Sequence, residues 1–173
     1  SLVIGDNALI EQNVLGTSAA SFADPGAATR SQGNGVGVIA GSNGIVRDNL
    51  IGFHGSWGIF TGPTTGWLVE RNESRGNALL DNRLSGLHGS TQITVRNNLF
   101  AANQGQGIDG VGSNSIATMN TVTGNGIGPG VITLQDSGIR FQSGSANSTV
   151  ASNIIENNVG AGVLVTGDSQ VEV

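Results

Sequence analysis

The sequence predicts an all-β solenoid, a chain wound into stacked coils of short strands. Three observations carry the prediction. One nine-residue pattern recurs from end to end, its copies fall at nearly regular intervals, and the apolar pieces between them are too short for helices. The clearest copy is Val95-Arg96-Asn97-Asn98-Leu99-Phe100-Ala101-Ala102-Asn103, followed by Gly107-Ile108. Val46-Arg47-Asp48-Asn49-Leu50-Ile51 leads in the same way to His54 and Gly58-Ile59. Val150-Ala151-Ser152-Asn153-Ile154-Ile155 leads to Asn158 and Gly162-Val163. Weaker copies run from Ile10 to Asn13, Val69 to Asn77 and Ala117 to Asn125.

The first Asn of each copy marks the register: Asn13, Asn49, Asn72, Asn98, Asn120 and Asn153, with steps of 36, 23, 26, 22 and 33 residues. The short steps set a period of about 22–23 residues, and the long ones are one period plus an insertion. Such a period belongs to architectures in which one repeat is one turn of the chain. Within a turn, pieces such as Ile45-Val46, Leu50-Ile51 and Leu99-Phe100 are rich in β-branched residues and bounded by Gly and Asn. They read as two or three short strands joined by tight turns.

Each position in the turn then has a physical role. Asn suits a sharp corner because it tolerates left-handed φ. Stacked once per coil, Asn amides can also hydrogen-bond above and below. Asn49, Asn72, Asn98, Asn120 and Asn153 are expected to form one such ladder, and His54, Asn77, Asn103, Asn125 and Asn158 a second. Three apolar columns fill the bore. The first is Ile10, Val46, Val69, Val95, Ala117 and Val150, and the second is Leu15, Ile51, Ser74, Phe100, Val122 and Ile155, where Ser74 is a misfit. The third is Val38, Ile59, Leu87, Ile108, Ile139 and Val163. Two insertions, residues 16–34 and 126–137, leave the coil at equivalent places and so emerge on one side, a common location for a binding face. The stretch from Ser1 to Asp6 has the phase of the stretch from Val163 to Asp168. We therefore expect one domain over residues 1–173, about seven coils long. Neither end carries a polar cap, so it reads as a segment of a longer solenoid or one with partner-covered ends.

Composition narrows the function. The chain has 173 residues with 29 Gly, 18 Asn, no Cys, no Tyr and no Lys; all seven basic residues are Arg, and charged residues make up 11%. A formal charge of −5 without a basic stripe argues against nucleic acid and against anionic membranes. Without Cys there is neither a disulfide framework nor a thiolate metal site. No apolar run approaches the roughly 20 residues that span a bilayer, and residues 1–173 contain no stretch with a signal-peptide pattern.

The recurring unit, with pieces such as Asn49-Leu50-Ile51-Gly52 and Asn13-Val14-Leu15-Gly16-Thr17, resembles the right-handed parallel β-helix repeats of the pectate-lyase-like superfamily. The resemblance covers essentially the whole chain. It implies a right-handed parallel β-helix and leaves the activity open. Members include polysaccharide lyases, glycoside hydrolases, uronan epimerases, phage tailspikes and non-catalytic bacterial surface proteins.

Candidate chemistry lies on an outward column after the Gly-apolar pairs: Ile39, Phe60, His88, Asp109, Arg140 and Leu164, with successive members about 4.8 Å apart. His88, Asp109 and Arg140 are the candidate catalytic residues. Arg140 would hold a uronate carboxylate, and His88 or Asp109 would move the proton α to it. The alternative is a cross-strand stack without catalysis. Asp109 with Asp136 is the nearest pair of carboxylates for glycoside hydrolysis or for Ca²⁺, but it supplies too few oxygens for calcium; no metal or other cofactor is expected. Trp57, Phe60 and Trp67 are candidate carbohydrate-binding residues, since flat aromatic faces fit sugar C–H surfaces; the alternative is that they cover a thin core. His54 fills an Asn-ladder slot. No regular Thr column is visible. The sequence thus reads first as an extracellular or cell-surface module that binds polysaccharide without catalysis. A lyase or epimerase acting on an acidic polysaccharide is the second reading and an adhesin-type spacer the third. The expected partners are a polysaccharide or surface glycan and end-to-end or homo-oligomeric contacts.

Overall fold

The structure, a computed structural model, describes residues 5–18, 20–81, 83–128, 136–167 and 169–173. Every regular element among them is a strand of two to six residues. The strands form three parallel sheets and recur in the fixed order sheet I, sheet II, sheet III. Sheet I has seven strands, from Leu9–Glu11 to Val171–Glu172. Sheet II has six, from Val14–Leu15 to Ile154–Glu156, and sheet III six, from Val36–Gly37 to Ala161–Val165. Each full turn takes one strand from each sheet, so complete turns among the described residues number fewer than the seven expected from the sequence. The phase match between the chain's two ends involves residues 1–4 and 168, outside the described residues.

The Asn ladders form as the spacing predicts. In the first, each Nδ2 donates to the next Oδ1: Asn13 to Asn49 and Asn49 to Asn72 at 2.9 Å, then Asn72 to Asn98, Asn98 to Asn120 and Asn120 to Asn153 at 3.0 Å. In the second, Asn77 donates to Asn103 at 3.1 Å, Asn103 to Asn125 at 2.9 Å and Asn125 to Asn158 at 2.8 Å. Of the two reasons expected for Asn, the amide bonding holds and the left-handed φ does not. The left-handed residue is the one before each ladder position: Gln12, Asp48, Arg71, Asn97, Met119 and Ser152 at the first corner, and Phe53, Gly76, Ala102, Gly124 and Asn157 at the second, all with φ between 52° and 62°. Asn is needed one residue later for its amide. That amide also satisfies carbonyls of the preceding coil, as when Asn98 Nδ2 donates to Val69 O at 3.0 Å. Buried backbone acceptors at a corner require such partners.

Two of the three apolar columns stand in the predicted register. Ile10, Val46, Val69, Val95, Ala117 and Val150 pair in sequence along sheet I and are buried. Along sheet II, Ser74 sits between Ile51 and Phe100. Its hydroxyl donates to Gly86 O at 2.9 Å and accepts from Asn77 Nδ2 at 3.2 Å, so the misfit carries no unpaired polar atom. The third column needs correction at its first member. Val36, not Val38, pairs with Ile59, and Gly37 pairs with Phe60. The insertion before this strand hides the register, and Val38, also buried, lies two residues on along the same face.

Both insertions connect a sheet II strand to a sheet III strand, the first between Leu15 and Val36 and the second between Thr123 and Ser137. Residues 129–135 of the second lie outside the described residues. The first folds back on sheet II: Phe22 meets Phe53 edge-on with ring centroids 5.8 Å apart, and the Arg75 guanidinium stands 4.3 Å from the Phe22 ring centre. Gly52 leaves room for Phe22, since a Cβ there would come within 2.9 Å of its ring.

Candidate functional site

Sheet III carries the candidate residues. His88 ends the strand Ser85–His88, Asp109 lies in Gln106–Val111 and Arg140 in Ser137–Phe141. Phe60 pairs with His88, and His88 with Asp109. Beyond Ile108–Ile139 the register shifts before Val111 pairs with Phe141. Gly110 takes up the irregularity at φ 70°, where a Cβ would stand 2.6 Å from the His88 ring. The three side chains meet as predicted. Arg140 Nε donates to Asp109 Oδ1 at 2.5 Å, and His88 Nδ1 lies 3.3 Å from Asp109 Oδ2.

The column is less open than the sequence suggested. Asp109 is 2% exposed, and the side chains of His88 and Arg140 are 25% and 13% exposed. Burial alone would push the Asp109 carboxyl upward, but its bonds to His88 and Arg140 outweigh burial and hold it below the usual carboxylate range. With both oxygens engaged, Asp109 orients its neighbours and balances the charge of Arg140; it is not poised to take a proton. Asp136 is also buried, so the two carboxylates do not face each other across an open cleft. Ile39 does not belong to the column: Gly37 occupies that place, and Ile39 is an exposed side chain on the connection that follows.

The aromatic candidates divide. Trp67 is 1% exposed, lies over the bare Cα of Gly44 and donates Nε1–H to Gly41 O at 3.3 Å. It fills the core, so its faces are closed to a sugar ring. Trp57 and Phe60 are half-buried on the outer face and cluster with His88. Ring centroids are 4.7 Å apart for Trp57–Phe60, 5.5 Å for Phe60–His88 and 5.4 Å for Trp57–His88. The rings turn faces toward one another, so the cluster forms a stiff bank more than an open stacking platform. Trp57 Nε1 is buried without a hydrogen-bond partner.

Beside this bank runs a feature that the sequence reading missed. A groove of about 620 Å³ follows the third corner of the coil, lined by Gly, Ser and Thr together with Pro63 and Gln142. Gly62 and Gly110 join it to the bank, since a Cβ on either would strike the Phe60 or His88 ring. Ser42, Thr65 and Thr91 stand in parallel register along it, and the Gln92 N–H bond to Ser113 O at 2.8 Å continues the row. The signal was present in the spacing. These four hydroxyl residues are 23, 26 and 22 apart, the same steps that separate Asn49, Asn72, Asn98 and Asn120. Among the described residues no three His, Asp or Glu side chains gather as a metal site.

Compared with known families, residues 2–138 match the right handed beta helix region. The chain belongs to the right-handed β-helix family. Neither the curated proteins nor the solved structures gave a match. Membership in the β-helix family accounts for the handedness of the coil, which parallel crossovers favour in any case. It assigns no chemistry to the groove or the bank.

Proposed function

We propose that this β-helix binds a polysaccharide chain along the axial groove without transforming it, as a module that works outside the cell or on its surface. The observation that carries the reading is the groove itself, open and lined with hydroxyl residues on successive coils beside the rings of Phe60 and His88. Thr65 already donates to Gln92 Oε1 at 2.8 Å and Ser113 to Gly144 O at 2.9 Å, so these hydroxyls serve sugar hydroxyls as acceptors, and the aromatic bank offers apolar contact to ring C–H groups. The engaged state of Asp109 favours binding over acid–base catalysis.

Affinity electrophoresis against a panel of neutral and acidic polysaccharides tests this. Phe60→Ala and Thr91→Ala should each weaken binding by about tenfold, the equivalent of about 1.4 kcal/mol. A protein that binds no polysaccharide, or variants that bind like the parent, would overturn the reading. One observation favours a second reading, a lyase or epimerase. Asp109 holds His88 by Nδ1, which leaves Nε2 to move a proton. That reading requires an unsaturated product absorbing in the near ultraviolet that His88→Ala abolishes.

A further inference from the structure

We infer that the groove selects uncharged glycans and turns away uronates and sulfated sugars; this rests on the groove being the glycan site. The chain's cations are seven Arg and no Lys, and each Arg is held by a carboxylate. Arg30 pairs with Asp24, Arg47 with Glu11, Arg71 with Asp48 and Glu70, and Arg75 with Glu73. Arg83 pairs with Asp81, Arg96 with Glu70 and Arg140 with Asp109. Arg140, the cation of the sheet III column, is spent on a buried carboxylate. Among the described residues, none lining the groove is charged. A charged side chain that does reach the hydroxyl row is Asp6, whose Oδ1 accepts from Ser42 N–H at 2.8 Å, and its sign is wrong for an anion.

An acidic sugar entering this groove would lose water from its carboxylate and meet no counter-charge. It would also approach a protein of net charge −5, whose field repels polyanions. A neutral sugar faces neither cost. The row Ser42, Thr65, Thr91 and Ser113 presents one hydroxyl residue per coil at a strand spacing of about 4.8 Å, close to the length of one hexose ring in an extended chain. The groove can thus address successive sugars with successive coils.

The test uses matched backbones. Glucan, xylan and mannan are each presented in neutral form and as the carboxymethyl derivative, with polygalacturonate alongside. At least one neutral polymer should bind, and its carboxymethyl derivative should bind at least about tenfold more weakly, the gap narrowing between about 0.05 and about 0.5 M salt as charge is screened. Thr91→Arg, a change at an exposed position in mid-groove, should raise affinity for the carboxymethyl form while circular dichroism stays unchanged. Carboxymethyl polymers or polygalacturonate binding as tightly as the neutral ones would overturn the selectivity and leave glycan binding standing. A folded Thr91→Arg chain that discriminates as before would place the ligand elsewhere and overturn it too. Binding to none of these polymers would remove both readings.

Discussion

Replacing Asn98 with Ala tests whether the amide ladder holds the coils together. Asn98 sits in mid-ladder and is buried. Its Oδ1 accepts from the backbone N–H of Asn72 at 2.9 Å and from Asn72 Nδ2 at 3.0 Å. Its Nδ2 donates to Val69 O and to Asn120 Oδ1, both at 3.0 Å. Truncation leaves the Asn72 N–H and the Val69 carbonyl without these partners where water cannot replace them. At about 1–3 kcal/mol for each of these two stranded buried groups, the loss is about 2–6 kcal/mol. For a chain of this size, that lowers Tm by about 5–15 °C. Asn13 provides the comparison within the same ladder, because it is exposed and its Nδ2 bonds across the coils to Asn49 alone and locally to Glu11 O at 3.0 Å. Asn13→Ala should cost less than about 1 kcal/mol. Urea unfolding followed by far-ultraviolet circular dichroism measures both, with the m-value checking that the same surface is exposed. Equal losses for the two variants, or a loss below about 1 kcal/mol for Asn98→Ala, would refute the ladder as a source of stability.

Two glycines separate strain from crowding. At Gly124, φ is 62° and a Cβ meets nothing closer than 3.9 Å, so Gly124→Ala should cost only about 1 kcal/mol of left-handed strain. At Gly107 a Cβ would stand 2.4 Å from Val122 Cγ1 and 2.9 Å from Gly138 O. Gly107→Ala should therefore cost more than about 2 kcal/mol by thermal melting, and equal losses would contradict the packing described. His54 makes stability pH-dependent. Its ring is buried with neither nitrogen in good hydrogen-bond geometry, and burial outweighs the favourable nearby Leu15 backbone to hold its pKa below the ordinary value. The unfolded chain then binds the proton first, so stability is full above the unfolded pKa of about 6.5 and declines as pH falls from there through the folded pKa. His54→Asn, which restores an amide at the ladder slot, should flatten urea midpoints between about pH 5 and 7; an unchanged slope would place the pH dependence elsewhere.

The sheet I exterior shows how far one sequence signal reaches. The repeat sets Arg47, Asp48, Glu70, Arg71 and Arg96 beside one another on neighbouring coils, a spacing that suits exposed ion pairs, and they do pair. Yet Glu70 is 5% exposed, held between Arg71 at 2.7 Å and Arg96 at 2.8 Å. Burial pushes its carboxyl up, and the two guanidiniums overcome that and hold it low. Register placed those residues side by side; depth came from the packing of the coils. The same division runs through the site. That His88, Asp109 and Arg140 share a column follows from spacing, but that Asp109 is covered and Trp67 lies in the core does not.

Periodicity alone determined the solenoid, its amide ladders, the face on which the insertions emerge and most of the apolar filling. In a stacked coil each residue's neighbours above and below are its counterparts one period away. Linear spacing therefore becomes lateral contact. Tertiary structure decided which residue bends left-handed at each corner, which hydrophobes shift register after an insertion, and whether a side chain on an outward column meets water. Those outcomes depend on how three sheets close around one bore and on what neighbouring loops cover. A repeat read in one dimension contains neither distance.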